Sequence, residues 1–343
     1  GFANAELDRL VEQALLVNDD LAAAVARVRQ AEASARMAGA PLLPQLNGNL
    51  AAGREGRLGG DAEVGGNNYS AGLAASYEVD LWGRLNAGRN SALADLRASQ
   101  FDRAALQVTL GASVVSSWLQ RVGLEQRQRI AVLNLENAER VLRTVESRQR
   151  AGAATTLELA QQRGVVAEQR RALAALSQQS EDSRVTLAVL LGQGNSAGLQ
   201  LAEQQLETLQ LPTISAGVPS DLLLRRPDLA RAEAQLAAAD ANVQVARAAL
   251  LPRLNLTASA GGNARRASDI FADPVYALSA ALLAPIFDGG YLAASRDLAV
   301  ARHEELLAAH RSSIVSPFAD VQLALNALAG IEVQWLAQQA VLE

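Results

Sequence analysis

Residues 68–90 constrain this chain more than any other stretch. Strict alternation comes first: Tyr69, Ala71, Leu73, Ala75, Tyr77, Val79 and Leu81 fall on one side, with Ser70, Gly72, Ala74, Ser76, Glu78 and Asp80 on the other. Period two gives a strand with one apolar face and one small or polar face. After Trp82-Gly83 the period shifts abruptly to that of a long helix. A strand of about a dozen residues that feeds a helix with no loop between them leaves few folds open, and a second such join follows about two hundred residues later.

Composition narrows the choice. Half of the 343 residues are hydrophobic but only 3% are aromatic, which suits long helices meeting along narrow seams in an elongated chain better than one thick core. A net charge of -5 with no basic face argues against a nucleic-acid partner. The absence of Cys removes disulfides, thiolate metal sites and Cys nucleophiles. No uninterrupted run of about eighteen apolar residues is present, so no transmembrane helix is expected; the most apolar window, 275–287, has the length of a strand. No signal peptide is visible at Gly1, so a mature or trimmed fragment is expected.

In chain order, 5–38 reads as a helix with Leu7, Leu10, Val11, Ala14, Leu15, Leu21, Val25 and Val28 on one side, and Asn18-Asp19-Asp20 reads as a new helix start within it. Pro41 and Pro44 end the helix, a strand follows with Leu46, Gly48, Leu50 and Ala52 on one face, and Gly and charge mark 54–67 as a surface loop. From Gly83 to Arg150 no proline intervenes. Val108, Ala112, Val115, Leu119 and Val122, then Leu135, Ala138, Leu142 and Val145, predict a coiled-coil seam along a helix of roughly 100 Å. Gly152 stops that helix, Thr155 with Glu158 forms a capping box, and the return helix to Leu191 carries Leu159, Val166, Leu173 and Leu187. A connector with Gly192, Gly194, Gly198, Pro212 and Pro219 follows.

The chain then repeats. Asn18-Asp19-Asp20-Leu21 corresponds to Arg226-Pro227-Asp228-Leu229, and Leu43-Pro44-Gln45-Leu46-Asn47 to Leu251-Pro252-Arg253-Leu254-Asn255, both displaced by 208 (Pro252 against Pro44). Tyr69 corresponds to Tyr276 and Trp82-Gly83 to Gly289-Gly290, displaced by 207. These landmarks define a first repeat at 1–192 (hairpin about 43–82, helical hairpin 83–191), a connector at 193–219 and a second repeat at 220–343 (hairpin about 252–287). By comparison with the first copy, about fifty to sixty residues of the second are missing at its C-terminal end.

Strand three alternates Leu254, Leu256, Ala258 and Ala260 against Asn255, Thr257, Ser259 and Gly261; strand four carries Tyr276, Leu278, Ala280, Leu282 and Ile286 on one face. All four strands reach the roughly 9–11 residues that cross a bilayer. Tyr69, Tyr77, Trp82 and Tyr276 sit near strand ends, where an aromatic girdle belongs. Four strands cannot close alone in lipid, so two or three chains, giving eight or twelve strands, are required. The alternative is a small sheet packed on the helices of a soluble periplasmic coiled-coil adaptor or scaffold protein.

Tyr77-Glu78-Val79-Asp80-Leu81-Trp82-Gly83-Arg84, Leu224-Arg225-Arg226-Pro227-Asp228-Leu229, Leu251-Pro252-Arg253-Leu254 and Pro285-Ile286-Phe287-Asp288-Gly289-Gly290 together resemble the outer-membrane factors of tripartite efflux pumps, in the NodT/OprM-type branch of the TolC-like proteins, the RND efflux outer-membrane lipoprotein family. The likeness covers essentially the whole chain. It implies an α+β membrane protein with four transmembrane β-strands per protomer, a homotrimer with one twelve-stranded barrel in the outer membrane, and long coiled-coil helices across the periplasm. It also implies a passive exit duct for drugs, metals or other small molecules, served by a periplasmic adaptor (membrane fusion protein) and an inner-membrane RND transporter. An exit duct for type I protein secretion is the alternative within the channel class. Members of this branch are often lipid-anchored at an N-terminal Cys; this chain has none.

The resemblance further implies that Gly152 and Thr155, in Gly152-Ala153-Ala154-Thr155-Thr156-Leu157-Glu158-Leu159, meet the adaptor and that Glu158 lies near the gate. Ordinary turn chemistry accounts for the same three residues. Tyr69, Leu73, Tyr77, Leu254, Leu256, Tyr276 and Leu278 are the expected lipid-facing residues. Arg225-Arg226-Pro227-Asp228 reads as helix-start chemistry. His303 and His310, two turns apart, read as isolated surface residues, and Met37 stands alone. No metal, cofactor or catalytic grouping stands out, and an enzyme is not expected.

Overall fold

The computed structural model describes residues 2–56, 59, 65–199, 201–209 and 225–342, and holds long helices and one antiparallel sheet. In chain order these are α1 (Ala5–Val17), α2 (Asp19–Gly39), β1 (Gln45–Gly56), β2 (Gly65–Val79), α3 (Arg84–Arg150), α4 (Thr156–Leu190), α5 (Pro227–Ala248), β3 (Arg253–Ala264), β4 (Val275–Leu283) and α6 (Tyr291–Leu342). The chain divides into two compact units, Gly1–Val25 with Arg103–Ala216 and Ala26–Asp102 with Gly217–Glu343. Leu224, Pro212 and Pro219 of the sequence motifs lie outside the described residues.

In the first unit, Asn18 separates two helices as its position suggested. Its amide donates to the Ala14 carbonyl to close α1, and its Oδ1 accepts from the Leu21 amide to open α2. Leu7, Leu10 and Ala14 of α1 pack with Leu110, Val114, Trp118 and Val122 of α3 and with Leu187 and Ala188 at the end of α4. This corrects the expected seam. Val108 and Ala112 are exposed, and Val115 and Leu119 only flank the core. Two helices press on α3 here, so the buried row follows their junction at four-residue spacing instead of a two-helix heptad. Beyond it, where only the α3–α4 hairpin remains, Ala131 and Ala138 are buried seven residues apart, as a heptad requires.

A polar cluster is enclosed with this core. Trp118 Nε1 donates to Glu6 Oε2 at 3.1 Å, and the Ala202 amide donates to Glu6 Oε1 at 2.7 Å. Arg121, only 2% exposed, donates to Glu125 Oε1 at 2.7 Å and to the Ala202 carbonyl at 3.1 Å. The segment around Ala202 is thus stitched to α1 and α3 by charge-assisted bonds.

In the second unit, buried alanines dominate: Ala87, Ala94 and Ala98 on α3 and Ala238, Ala239, Ala241 and Ala248 on α5. Small side chains let helices approach closely at little rotamer cost. Arg226, capping α5 ahead of Pro227, donates to Asp228 and reaches Asp320 of α6 at 3.0 Å. The sheet runs in the order β1-β2-β3-β4, antiparallel throughout. Its first hairpin is longer than expected, because Arg54, Glu55 and Gly56 stay in the ladder against Asn67, Gly66 and Gly65. Composition marked a loop there, yet backbone pairing needs no particular side chain.

As expected, no uninterrupted run of about eighteen apolar residues is present. By length and composition α6 is apolar enough to cross a bilayer, with a mean hydropathy of 1.4 in a window that is 6% buried. The average is high because Ala, Leu and Ile outweigh Asp320, Gln322 and Asn326. His303 and His310 on this helix are half-buried, not exposed.

Trp118 fills the centre of the first unit with no exposed surface. Trp118→Ala is expected to cost about 3–5 kcal/mol, read as a fall in the thermal melting temperature of the first unit, with Trp118→Phe recovering most of the packing but not the tie to Glu6.

Candidate functional site

The sheet sorts its side chains by parity. Tyr77 faces Leu256, and Leu256 faces Ala280; Leu73 faces Ala260, and Ala260 faces Tyr276; Leu46 faces Ala75, Ala75 faces Ala258, and Ala258 faces Leu278. Directly opposed residues share a face, so Tyr69, Leu73, Tyr77, Leu254, Leu256, Tyr276 and Leu278 all lie on one side. On the other side Gln45, Ser76, Thr257 and Ser279 form one row, and Asn49, Gly72, Gly261 and Val275 another. Thr257 and Ser279 share a hydrogen bond across that row.

The apolar side is open. Leu73, Leu256, Tyr276 and Leu278 are exposed, with Leu278 at 75%, while Tyr69, Tyr77 and Leu254 are partly covered. Alanines at positions 75 and 258 leave a hollow of about 520 Å³ bordered by Tyr77, Leu256 and Leu278. Near the far end, the turn after β3 folds Ile270 back so closely that a side chain on Gly262 would overlap the Ile270 carbonyl. Only glycine fits that crossing.

The abrupt strand-to-helix joins have a defined chemistry that the sequence reading did not assign. Asp80 accepts the Leu85 and Asn86 amides at 3.0 and 2.8 Å, capping α3 across Gly83, whose φ of +72° is one that L side chains rarely adopt. Arg84 returns to the Glu78 carboxylate at 2.8 Å, and Trp82 Nε1 donates to the Pro252 carbonyl at 2.7 Å ahead of β3. At the second join Asp288 accepts the Gly290 and Leu292 amides, with positive φ at Gly289 and Gly290. An Asp shortly before a glycine-led helix was the available signal; the Trp82 partner, 170 residues away, had none.

At the α3–α4 turn Gly152 takes φ +74°. Thr155 caps α4: the Glu158 amide donates to Thr155 Oγ1 at 3.1 Å and the Thr155 amide to Glu158 Oε2 at 2.7 Å. Gly152, Thr155 and Glu158 are exposed, and the Glu158 carboxylate is engaged by its own helix end. Among the described residues, no group of three or more His, Asp or Glu is placed to hold a metal.

The profile for outer membrane efflux proteins matches residues 10–193 and 218–343. The chain belongs to the outer membrane efflux protein family. The pyoverdine export outer membrane protein OpmQ of Pseudomonas aeruginosa is 52% identical over 351 residues, covering 100% of this chain and 74% of OpmQ. A crystal structure of a membrane protein from Pseudomonas aeruginosa superposes with a TM-score of 0.93 at 31% identity, covering 99% of this chain and 80% of that one. A crystal structure of CusC, from a study of folding and transmembrane channel formation, gives 0.90 at 29% identity over 98% of this chain and 79% of CusC.

This efflux protein is therefore a channel component seated in the bacterial outer membrane and reaching into the periplasm. Arg226-Pro227-Asp228 serves structure here, holding α5 against α6. Hydrogen bonds from Arg226 hold the Asp228 carboxyl below its ordinary value, against the opposing effect of burial. A depressed folded pKa means stabilisation that is present above the unfolded carboxylate range and lost as pH falls through the folded value.

Lowering the pH below about 4 is accordingly expected to loosen the start of α5. Hydrogen exchange there should rise in the wild type, whereas Asp228→Asn should exchange fast already at neutral pH and respond less to acid. At the other end, Thr155→Ala is expected to cost about 1 kcal/mol, seen as faster exchange confined to the first turn of α4 with the sheet unaffected.

Proposed function

We propose that three copies of this chain close their sheets into one twelve-stranded barrel through the outer membrane, continued by the long helices as a periplasmic duct. The observation that carries this reading is the parity of the sheet: three antiparallel registers put most large apolar strand residues on one face, Val275 and Leu283 excepted, and most of the Ser, Thr and Asn residues on the other. An apolar face suits lipid, and a polar one suits a water-filled route. The reading includes the duplication, 1–192 and 220–343 joined by 193–219. The succession α2-β1-β2-α3 and α5-β3-β4-α6 supports it.

In this reading the duct is passive. A periplasmic adaptor meets the α3–α4 turn at Gly152 and Thr155, Glu158 lies near the periplasmic aperture, and an inner-membrane RND transporter supplies both force and choice of cargo. The relative named for pyoverdine export, at 52% identity, supports pyoverdine or a related small molecule as cargo. Exposed apolar residues on α6, among them Leu323, Ile331 and Leu336, give neighbouring copies a surface to cover.

Two adjacent substitutions test the assignment of faces. Leu278→Lys puts a charge on the lipid side and is expected to cost about 2–4 kcal/mol, while Ser279→Lys puts it in the water-filled route. On gels of unheated outer-membrane fractions, the Leu278 variant should lose the heat-labile trimer and the Ser279 variant should keep it. Equal effects of the two, or a wild type that is a detergent-independent soluble monomer, would sink the proposal.

A further inference from the structure

In the second unit α5 is tied on both flanks. Arg231 donates to Asp102 of α3 and Arg226 to Asp320 of α6, each at 3.0 Å. Past these ties, toward β3, the row Gln235, Ala239, Asn242, Ala246 and Ala249 runs along α5 in alternating steps of four and three residues. That spacing is a helix seam, where large apolar side chains normally interdigitate. Here it carries two amides and three alanines, and a cavity of about 760 Å³ opens between α3, α5 and α6.

The lining mixes chemistry. Val245 of α5 with Leu298 and Leu306 of α6 supplies apolar surface, and α3 contributes Asp95. The Asp95 side chain is reachable from solvent, yet partial burial pushes its carboxyl up, and neither a cation nor a hydrogen-bond donor offsets that effect. Arg302, the cation among the described lining residues, is already bonded to Glu305 of its own helix. The charge left open to a ligand is therefore a single negative one, in the company of the Gln235 and Asn242 amides. Small-molecule sites share this make-up, an apolar hollow of about 300–1,000 Å³ with a few polar groups that fix orientation.

We propose that this cavity binds a small amphipathic organic cation, its ammonium group on the Asp95 carboxylate and its apolar body against Val245, Leu298 and Leu306. An ammonium there restores to Asp95 the favourable surroundings that burial removes. An anion meets the reverse, since it faces Asp95 uncompensated and must displace Glu305 to reach Arg302. The lining belongs wholly to one chain, so the site stands whether or not copies close into a barrel. It also goes beyond a passive duct, because a wall that holds cations favours one class of solute over another.

Naphthylmethylammonium serves as the probe, with naphthylmethanol and naphthoate as its neutral and anionic counterparts. Each is titrated by calorimetry into the full-length protein in phosphatidylcholine nanodiscs, against empty nanodiscs. The cation should bind saturably at a single site per chain, and both counterparts more weakly by about tenfold or more. Asp95→Asn should weaken the cation by about tenfold or more and leave the neutral compound unchanged. Asp95 has no partner to lose, so circular-dichroism melting of this variant should match the wild type. Ala246→Leu fills the cavity floor and should weaken the cation and the neutral compound alike. Asp240→Asn removes the same charge from α5 outside the cavity and should leave binding as it is. The proposal is overturned by a folded wild type without saturable cation binding, by counterparts that bind as well as the cation, or by an Asp240→Asn loss equal to that of Asp95→Asn.

Discussion

Among the described residues the backbone amides and carbonyls along the outer edges of β1 and β4 have no partner in the sheet order β1-β2-β3-β4, and in the proposed barrel hydrocarbon would offer none. Every other feature of the sheet fits that constraint. Most of its large apolar side chains share one face and most of its polar ones the other, and neither β1 nor β4 carries an edge-blocking proline within its span. A soluble protein protects such edges; this one leaves them flat and pairable.

A strand and the long helix it feeds must be joined without loose backbone, and two aspartates do this. Asp80 and Asp288 cap the amides of α3 and α6 while glycines at 83, 289 and 290 supply the left-handed turn between the two geometries. The joins are chemically alike but not equally braced. Glu78, Arg84 and Trp82 clamp the first against its own chain, whereas the second keeps only its cap and glycines among the described residues. Placing the braced join inside the chain and the bare one at its edge is consistent with a fold completed between copies.

The helical units solve different packing problems with different residues. Around Trp118 three helices meet, and a large aromatic side chain with a buried Glu6–Arg121–Glu125 cluster fills and fixes the junction. A buried charge cluster adds little net stability but strongly penalises misplacement, since one member without its partners is left desolvated. Around α5, alanines bring helices close and the Arg226 link to Asp228 and Asp320 sets their alignment. Glycine, threonine and glutamate at the α3–α4 turn complete a tight reversal whose own hydrogen bonds account for the conformation of all three.

The sequence alone determined where the strands lie, though not how far the first hairpin extends, and with them the helix lengths, the break at Asn18 and the capping box at Thr155, because each is a local matter of period, cap or left-handed glycine. It also determined which strand residues share a face, since parity survives any antiparallel pairing of even register. Tertiary structure alone decided that the buried row on α3 runs through Leu110, Val114 and Trp118, because a third helix moved the seam off its heptad. It likewise decided that Trp82 reaches Pro252 and that Ile270 closes over Gly262. Those contacts join residues distant in sequence or crossing a turn, and their geometry is set by where the strands come to lie, which no local pattern encodes.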